Sequence, residues 1–91
     1  MQWKLFANLA EIAGERTISL AIDSDATVGD ALDALLERHP SLSDEVLVAD
    51  GELHDHINLL INGTNIHSLS GLETSIKPDD ELALFPPVSG G

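Results

Sequence analysis

Polar and apolar positions along this chain repeat with two periods, and the places where the period changes mark the elements. Gln2 to Phe6 (QWKLF) alternates, and so does Arg16 to Ile22 (RTISLAI), with Ile18, Leu20 and Ile22 on one side and Thr17, Ser19 and Ala21 on the other. These segments read as two strands of an opening hairpin-like unit, and ANLAEIAG between them suits a helical turn that stops at Gly14. From Val28 the period lengthens, and Val28, Ala31, Leu32, Leu35 and Leu36 share one face of a helix. Thr27 stands as its N-cap with Asp30 at the third helical position. The helix should end near His39, because Pro40 disfavours helical geometry in the residue before it.

Ser41 to Leu47 reads as a second short helical piece, followed by a turn at Asp50-Gly51 and an extended run from about Asp55 to Ile61. Asn62-Gly63 is a hairpin signal, since both central residues of a type I′ turn need positive φ, and it predicts a returning strand near Asn65 to His67. Ser68 to Ile76 reads as irregular. Glu81 to Phe85 (ELALF) forms the last strand, which Pro86-Pro87 ends. The order ββαββ describes an α+β roll, a mixed sheet packed on one main helix; a β-grasp requires that order, and other small α+β folds share it.

A chain of 91 residues with 43% apolar content can bury one modest core, which predicts a single domain over residues 1–85 and an extended tail over 86–91. The absence of cysteine removes disulfides, thiolate metal sites and a cysteine nucleophile together. Sixteen acidic residues against four basic ones give a formal charge of -12, which repels phosphate backbones and acidic membranes and suits a folded surface in concentrated salt. Neither nucleic acid nor membrane is therefore an expected partner. No apolar run approaches the length of a bilayer span, and MQWKLFANLAE lacks the basic start of a signal peptide, so the cytoplasm is the expected compartment.

The chemistry that remains sits in Leu84-Phe85-Pro86-Pro87-Val88-Ser89-Gly90-Gly91. Two prolines favour a stiff, extended arm, which from Phe85 to Gly91 reaches on the order of 20 Å at about 3.3 Å per residue. Glycines without Cβ let a bare carboxylate pass a narrow channel towards a nucleotide phosphate. A glycine pair at a chain end also suits a frayed tail of no significance; the rigid Pro-Pro arm in front of it favours function.

The ending DDELALFPPVSGG, with KLFANLAEIAG near the start, resembles the MoaD/ThiS sulfur-carrier family, above all the small archaeal modifier proteins of halophilic archaea. TVGDALDALLERHP is similar to the family helix and DHINLLINGT to its central strand and hairpin. The resemblance implies a ubiquitin-like β-grasp fold and adenylation of Gly91 by an ATP-dependent, ubiquitin-activating-type enzyme, with Gly90 forming the narrow approach. It implies a thiocarboxylate that donates sulfur, or an isopeptide bond to lysines of target proteins. The implied partners are the activating enzyme, those lysines, the large subunit of molybdopterin synthase and a metalloprotease of desampylating type. The chain would be a substrate rather than an enzyme, with no cofactor of its own, since ATP belongs to the activating enzyme. Two other readings stay open at this point: a dedicated molybdopterin-synthase small subunit that only donates sulfur, and a plain interaction module with an inert tail.

Strand parity adds a second constellation. With Trp3, Leu5, Leu59, Ile61, Leu82 and Leu84 towards the core, Phe6, Leu60 and Phe85 face the other way. In a chain with three aromatic residues this suggests a docking patch continued by Pro86, Pro87 and Val88. His54 and His56 share a strand face, but two histidines without a third convergent ligand read as solvent-exposed polar residues rather than a metal site. Asp33 and Glu37 likewise read as a solvated helix face.

Overall fold

The structure is a computed structural model and describes residues 1–47 and 57–86. In chain order it contains β1 (Gln2–Leu5), α1 (Asn8–Ala13), β2 (Thr17–Ser19), α2 (Val28–Arg38), α3 (Ser43–Val46), β3 (Asn58–Ile61), β4 (Thr64–Asn65) and β5 (Glu81–Phe85). The strands form one mixed sheet in the order β2-β1-β5-β3-β4. The last strand thus lies at the centre, parallel to β1 and antiparallel to β3.

The helix α2 begins where Thr27 and Asp30 cap it reciprocally: the Asp30 amide donates to Thr27 Oγ1 at 3.2 Å and the Thr27 amide to Asp30 Oδ2 at 3.0 Å. It ends at Arg38, one residue before His39, whose extended φ of -129° is the geometry imposed by the following proline. Its apolar face, Val28, Ala31, Leu32, Leu35 and Leu36, packs into one core with Trp3, Leu5, Ile18, Leu59, Ile61, Leu82 and Leu84 from the sheet. Trp3 is fully buried, and its Nε1–H donates to the Ala31 carbonyl at 3.1 Å, so the largest core side chain also ties sheet to helix.

Gly14 ends α1 with φ 78°, and its amide donates to the Ala10 carbonyl, which is the expected helical turn between the first two strands. A 3-10 turn at Pro40–Leu42 leads directly into α3, so the second helical piece is there in two short parts. The turn at Asp50-Gly51 lies outside the described residues, as do Asp55 and His56 of the extended run.

Three expectations need correction. The second strand covers Thr17–Ser19 rather than Arg16 to Ile22: Gln2 lies opposite Ser19 and the Leu20 amide reaches the Met1 carbonyl, so nothing in β1 remains for the chain beyond Leu20 to pair with. Leu20 and Ile22 still pack partly buried against the core. The strand after the type I′ turn stops at Asn65 instead of His67, because the Asn65 side chain accepts the His67 amide at 2.8 Å and turns the chain into a 3-10 turn at Ile66–Ser68. Residues 68–76 are more ordered than their composition suggests. A 3-10 turn spans Gly71–Glu73, Thr27 and Ser75 form a bridge, and Ile76 is buried with its amide on the Ala26 carbonyl.

At the end of the sheet where β5 begins, one carboxylate locks two turns. Asp80 Oδ2 accepts the Lys77 amide at 2.8 Å and Oδ1 accepts Asn62 Nδ2 at 3.0 Å, while Asn62 Oδ1 accepts the Glu81 amide at 3.1 Å. Asn62 has φ 49° and Gly63 φ 87°, as a type I′ turn demands. The Asn62 hydrogen bond, followed by that of the Lys77 backbone, holds the Asp80 carboxyl below its ordinary pKa. A depressed folded-state pKa contributes stability above the unfolded value that is lost as pH falls through the folded one. Asp80→Asn should therefore lower the denaturant midpoint at pH 7, and its deficit against the parent chain should shrink below about pH 4. Denaturant melts at both pH values check this. Because the carboxylate is open to solvent, the effect is small.

Candidate functional site

The site begins with the way β5 is held. Leu82 and Leu84 are fully buried, and Glu81, Ala83 and Phe85 alternate with them on the opposite face. Both edges of β5 are hydrogen-bonded, to β1 in the register Leu5↔Leu84 and to β3 in the register Asn58↔Phe85. The strand that leads to Pro86 is therefore firmly anchored, with a buried face and a partner strand on each edge.

That register brings Phe6, the residue after β1, beside Phe85. Their rings stack with centroids 4.2 Å apart and an interplanar angle of 9°. Phe6 remains 39% exposed and Phe85 half-buried, so the pair lies on the face away from α2. Leu60 is half-buried and lies opposite Ala83, which extends the apolar surface across β3. Lys4 Nζ and Glu81 Oε2, 3.4 Å apart on the same face, form a pair so exposed that its net contribution is about 0–1 kcal/mol. Beside Phe6 an open groove of about 720 Å³ runs between β1, α1 and β2, lined by Lys4, Phe6, Ala7, Glu11, Glu15 and Arg16.

Of the residues singled out in the sequence, the structure brings Phe6, Phe85 and Leu60 onto one face and puts half-buried Pro86 at its end. Pro87, Val88, Gly90 and Gly91 lie outside the described residues, as do His54 and His56. Asp33 and Glu37 are exposed on α2, as a solvated face requires. Among the described residues no group of three His, Asp or Glu side chains could hold a metal ion, and no helix is long and apolar enough to cross a membrane.

Sequence reading passed over Ala7. Its φ of 53° and ψ of -132° occupy the first central position of a type II′ turn, closed by the Leu9 amide on the Phe6 carbonyl at 3.2 Å. Glycine is the residue that turn prefers, and an alanine there gives no sequence signal of a strained corner. Ala7→Gly should raise stability by about 1 kcal/mol, the relief of strain exceeding the extra freedom of glycine in the unfolded chain. A thermal midpoint raised by several degrees checks it.

A mixed sheet with its last strand at the centre and one main helix across one face define a ubiquitin-like β-grasp protein. The particular family is the ThiS family, to which the chain belongs: the family profile matches residues 3–91. Small archaeal modifier protein 1 of Haloferax volcanii is 58% identical over 91 residues, covering all of both chains. Its crystal structure superposes with a TM-score of 0.91, covering 100% of this chain and 98% of that one. A protein of Archaeoglobus fulgidus provisionally named a sulfur carrier protein is 36% identical over 73 residues, 79% of this chain and 83% of its own. At 27% identity and a TM-score of 0.82, the chain is also similar to one in the Amycolatopsis orientalis BexX/CysO complex, covering 99% of this chain and 98% of that one.

Proposed function

We propose that the chain is a ubiquitin-like protein modifier and sulfur carrier whose reactive group is the Gly91 carboxylate. An activating enzyme adenylates that carboxylate with ATP. The acyl adenylate is then attacked either by a lysine amine, which leaves an isopeptide bond, or by a sulfur donor, which leaves a thiocarboxylate. In this reading residues 1–85 serve as the β-grasp domain and 86–91 as the extended arm. The observation that carries this reading is the end of β5: a strand paired on both edges delivers Pro86 beside an exposed aromatic stack, and the sequence continues from there as Pro87-Val88-Ser89-Gly90-Gly91.

Phe6, Leu60 and Phe85, with Pro86, Pro87 and Val88, form the docking surface in this proposal, used first by the activating enzyme. For sulfur transfer the consumer is the large subunit of molybdopterin synthase; for conjugates, a metalloprotease of desampylating type reverses the bond. The test is incubation with the cognate activating enzyme, magnesium ATP and a sulfide source, followed by intact-mass measurement. A mass gain matching replacement of one oxygen by sulfur, together with lysine-linked products when acceptor proteins are added, is the expected result. An unchanged mass under both conditions would leave only an interaction module with an inert tail.

A further inference from the structure

Among the described residues β2 ends the sheet and pairs only with β1. The Leu5 amide reaches the Arg16 carbonyl at 2.8 Å, and Met1 and Leu20 exchange both backbone bonds at 3.0 Å, so residues 16, 18 and 20 aim their backbone groups at β1. Thr17 and Ser19 therefore turn amide and carbonyl outwards, and both residues are exposed. Neither is a lysine or a proline, the residues that commonly guard such an edge.

This edge runs on into a groove. Arg38 Nη1 donates to the outward Ser19 carbonyl at 3.4 Å, longer than the usual range of about 2.7–3.2 Å, so the end of α2 lies alongside the chain that leaves β2. One turn back along α2 stands Ala34 and a further turn back Asp30; with Ile22, Asp23, Asp25 and Ala26 they line a groove of about 490 Å³. Ile22 and Ala34 are half-buried and Ala26 is buried, while the three carboxylates are exposed. No cation lines this groove, whereas Lys4 and Arg16 offset Glu11 and Glu15 in the groove beside Phe6. The two grooves also lie at opposite ends of β1, since Ser19 is opposite Gln2 and Phe6 follows Leu5.

We propose that the β2 edge and this groove bind an extended segment of another protein as an added strand, with alternate apolar side chains on Ile22, Ala26 and Ala34 and flanking lysines or arginines on Asp23, Asp25 and Asp30. Backbone pairing supplies affinity, and the alternate side chains and flanking charges supply selection. An amide of the incoming strand replaces Arg38 at the Ser19 carbonyl with a bond of ordinary length, and the displaced guanidinium, exposed beside Glu37, returns to water. Because α2 covers the face opposite the Phe6–Phe85 stack, a chain held by its aromatic face and tail keeps this site open. The inference goes beyond the activation of Gly91 and does not depend on it.

The experiment titrates the isotope-labelled full chain with a synthetic peptide of alternating valine and threonine flanked by paired lysines, up to about 1 mM, and follows backbone amide shifts by nuclear magnetic resonance. Shifts should concentrate at Thr17 to Ala26 and Ala34 to Arg38 and leave Phe6 and Phe85 unchanged. Replacing the flanking lysines by glutamates, or the threonines by prolines, should weaken binding about tenfold or more. Thr17→Pro removes an outward amide at the first residue of the strand, where no bond to β1 is lost, and Ala34→Arg fills the groove with a good helix former; each should weaken binding about tenfold with an unchanged circular dichroism spectrum. Should Thr17→Pro lose its fold, Ala34→Arg and the proline peptide still decide. The chain lacking Gly90 and Gly91 should bind as the parent does. Absence of binding, shifts centred on Phe6 and Phe85, equal binding of the glutamate-flanked peptide, or undiminished binding by Ala34→Arg overturns the proposal. None of these readouts uses ATP or an activating enzyme, so failure here and failure of the Gly91 reading are distinguishable.

Discussion

Removal of Gly90 and Gly91 should abolish both lysine conjugation and thiocarboxylate formation while leaving the fold intact. The two halves of that expectation have separate physical origins. Stability resides in the buried faces of β1, β3, β5 and α2, where Trp3, Leu35, Leu59, Leu82 and Leu84 are fully covered in one core among the described residues. Glycines contribute almost no apolar area to a core in any case. The chemistry has the opposite dependence, because it needs one carboxylate at one reachable point. Adding a single alanine after Gly91 would move that carboxylate by about 3.3 Å, a large displacement where reacting atoms must approach to near contact. The shortened chain and the lengthened chain should therefore melt like the parent and give neither product when incubated with activating enzyme and ATP. Either product from the chain lacking both glycines would show that the tail is not the reactive element.

What could be read from the sequence was local. The capped start of α2 depends on Thr27 and Asp30, three residues apart, and its end on the neighbouring Pro40, so both were legible. The type I′ turn at Asn62-Gly63 is equally local. Parity likewise placed Phe6, Phe85 and Leu60 away from the core without any knowledge of which strands touch. Contact between the two rings is different in kind: it depends on a parallel register that pairs Leu5 with Leu84, almost 80 residues along the chain, and no window of sequence contains it. The same holds for strand length, since β2 stops where β1 runs out rather than where its own alternation does. Ile76 lacked periodic neighbours and gave no hint of its burial, which follows from the bridge between the loop and the start of α2. The Lys77–Asp80–Asn62 lock joins two turns that sequence presents as unrelated.

Truncating either ring of the aromatic pair should weaken docking to the activating enzyme far more than it weakens the fold. The magnitudes decide this. A stacked pair contributes about 0.5–1.5 kcal/mol beyond its buried area, and Phe6 is already 39% exposed, so Phe6→Ala forgoes much less than removal of a core phenylalanine would. At the centre of an interface the same ring is expected to contribute about 2 kcal/mol or more, roughly thirtyfold in affinity. Phe85→Ala should cost somewhat more stability than Phe6→Ala, because Phe85 is a strand residue paired with Asn58 of β3 and is half-buried. Phe85→Leu supplies a control that keeps apolar volume and strand pairing but loses the stack. The measurements are dissociation constants for the activating enzyme and thermal midpoints for the parent, Phe6→Ala, Phe85→Ala and Phe85→Leu chains. Affinity losses of the expected size with modest shifts in midpoint would place the pair in the docking surface, with Phe85→Leu falling between parent and Phe85→Ala. Unchanged affinity together with a large fall in midpoint would instead assign both rings to the fold and leave the tail alone to be recognised.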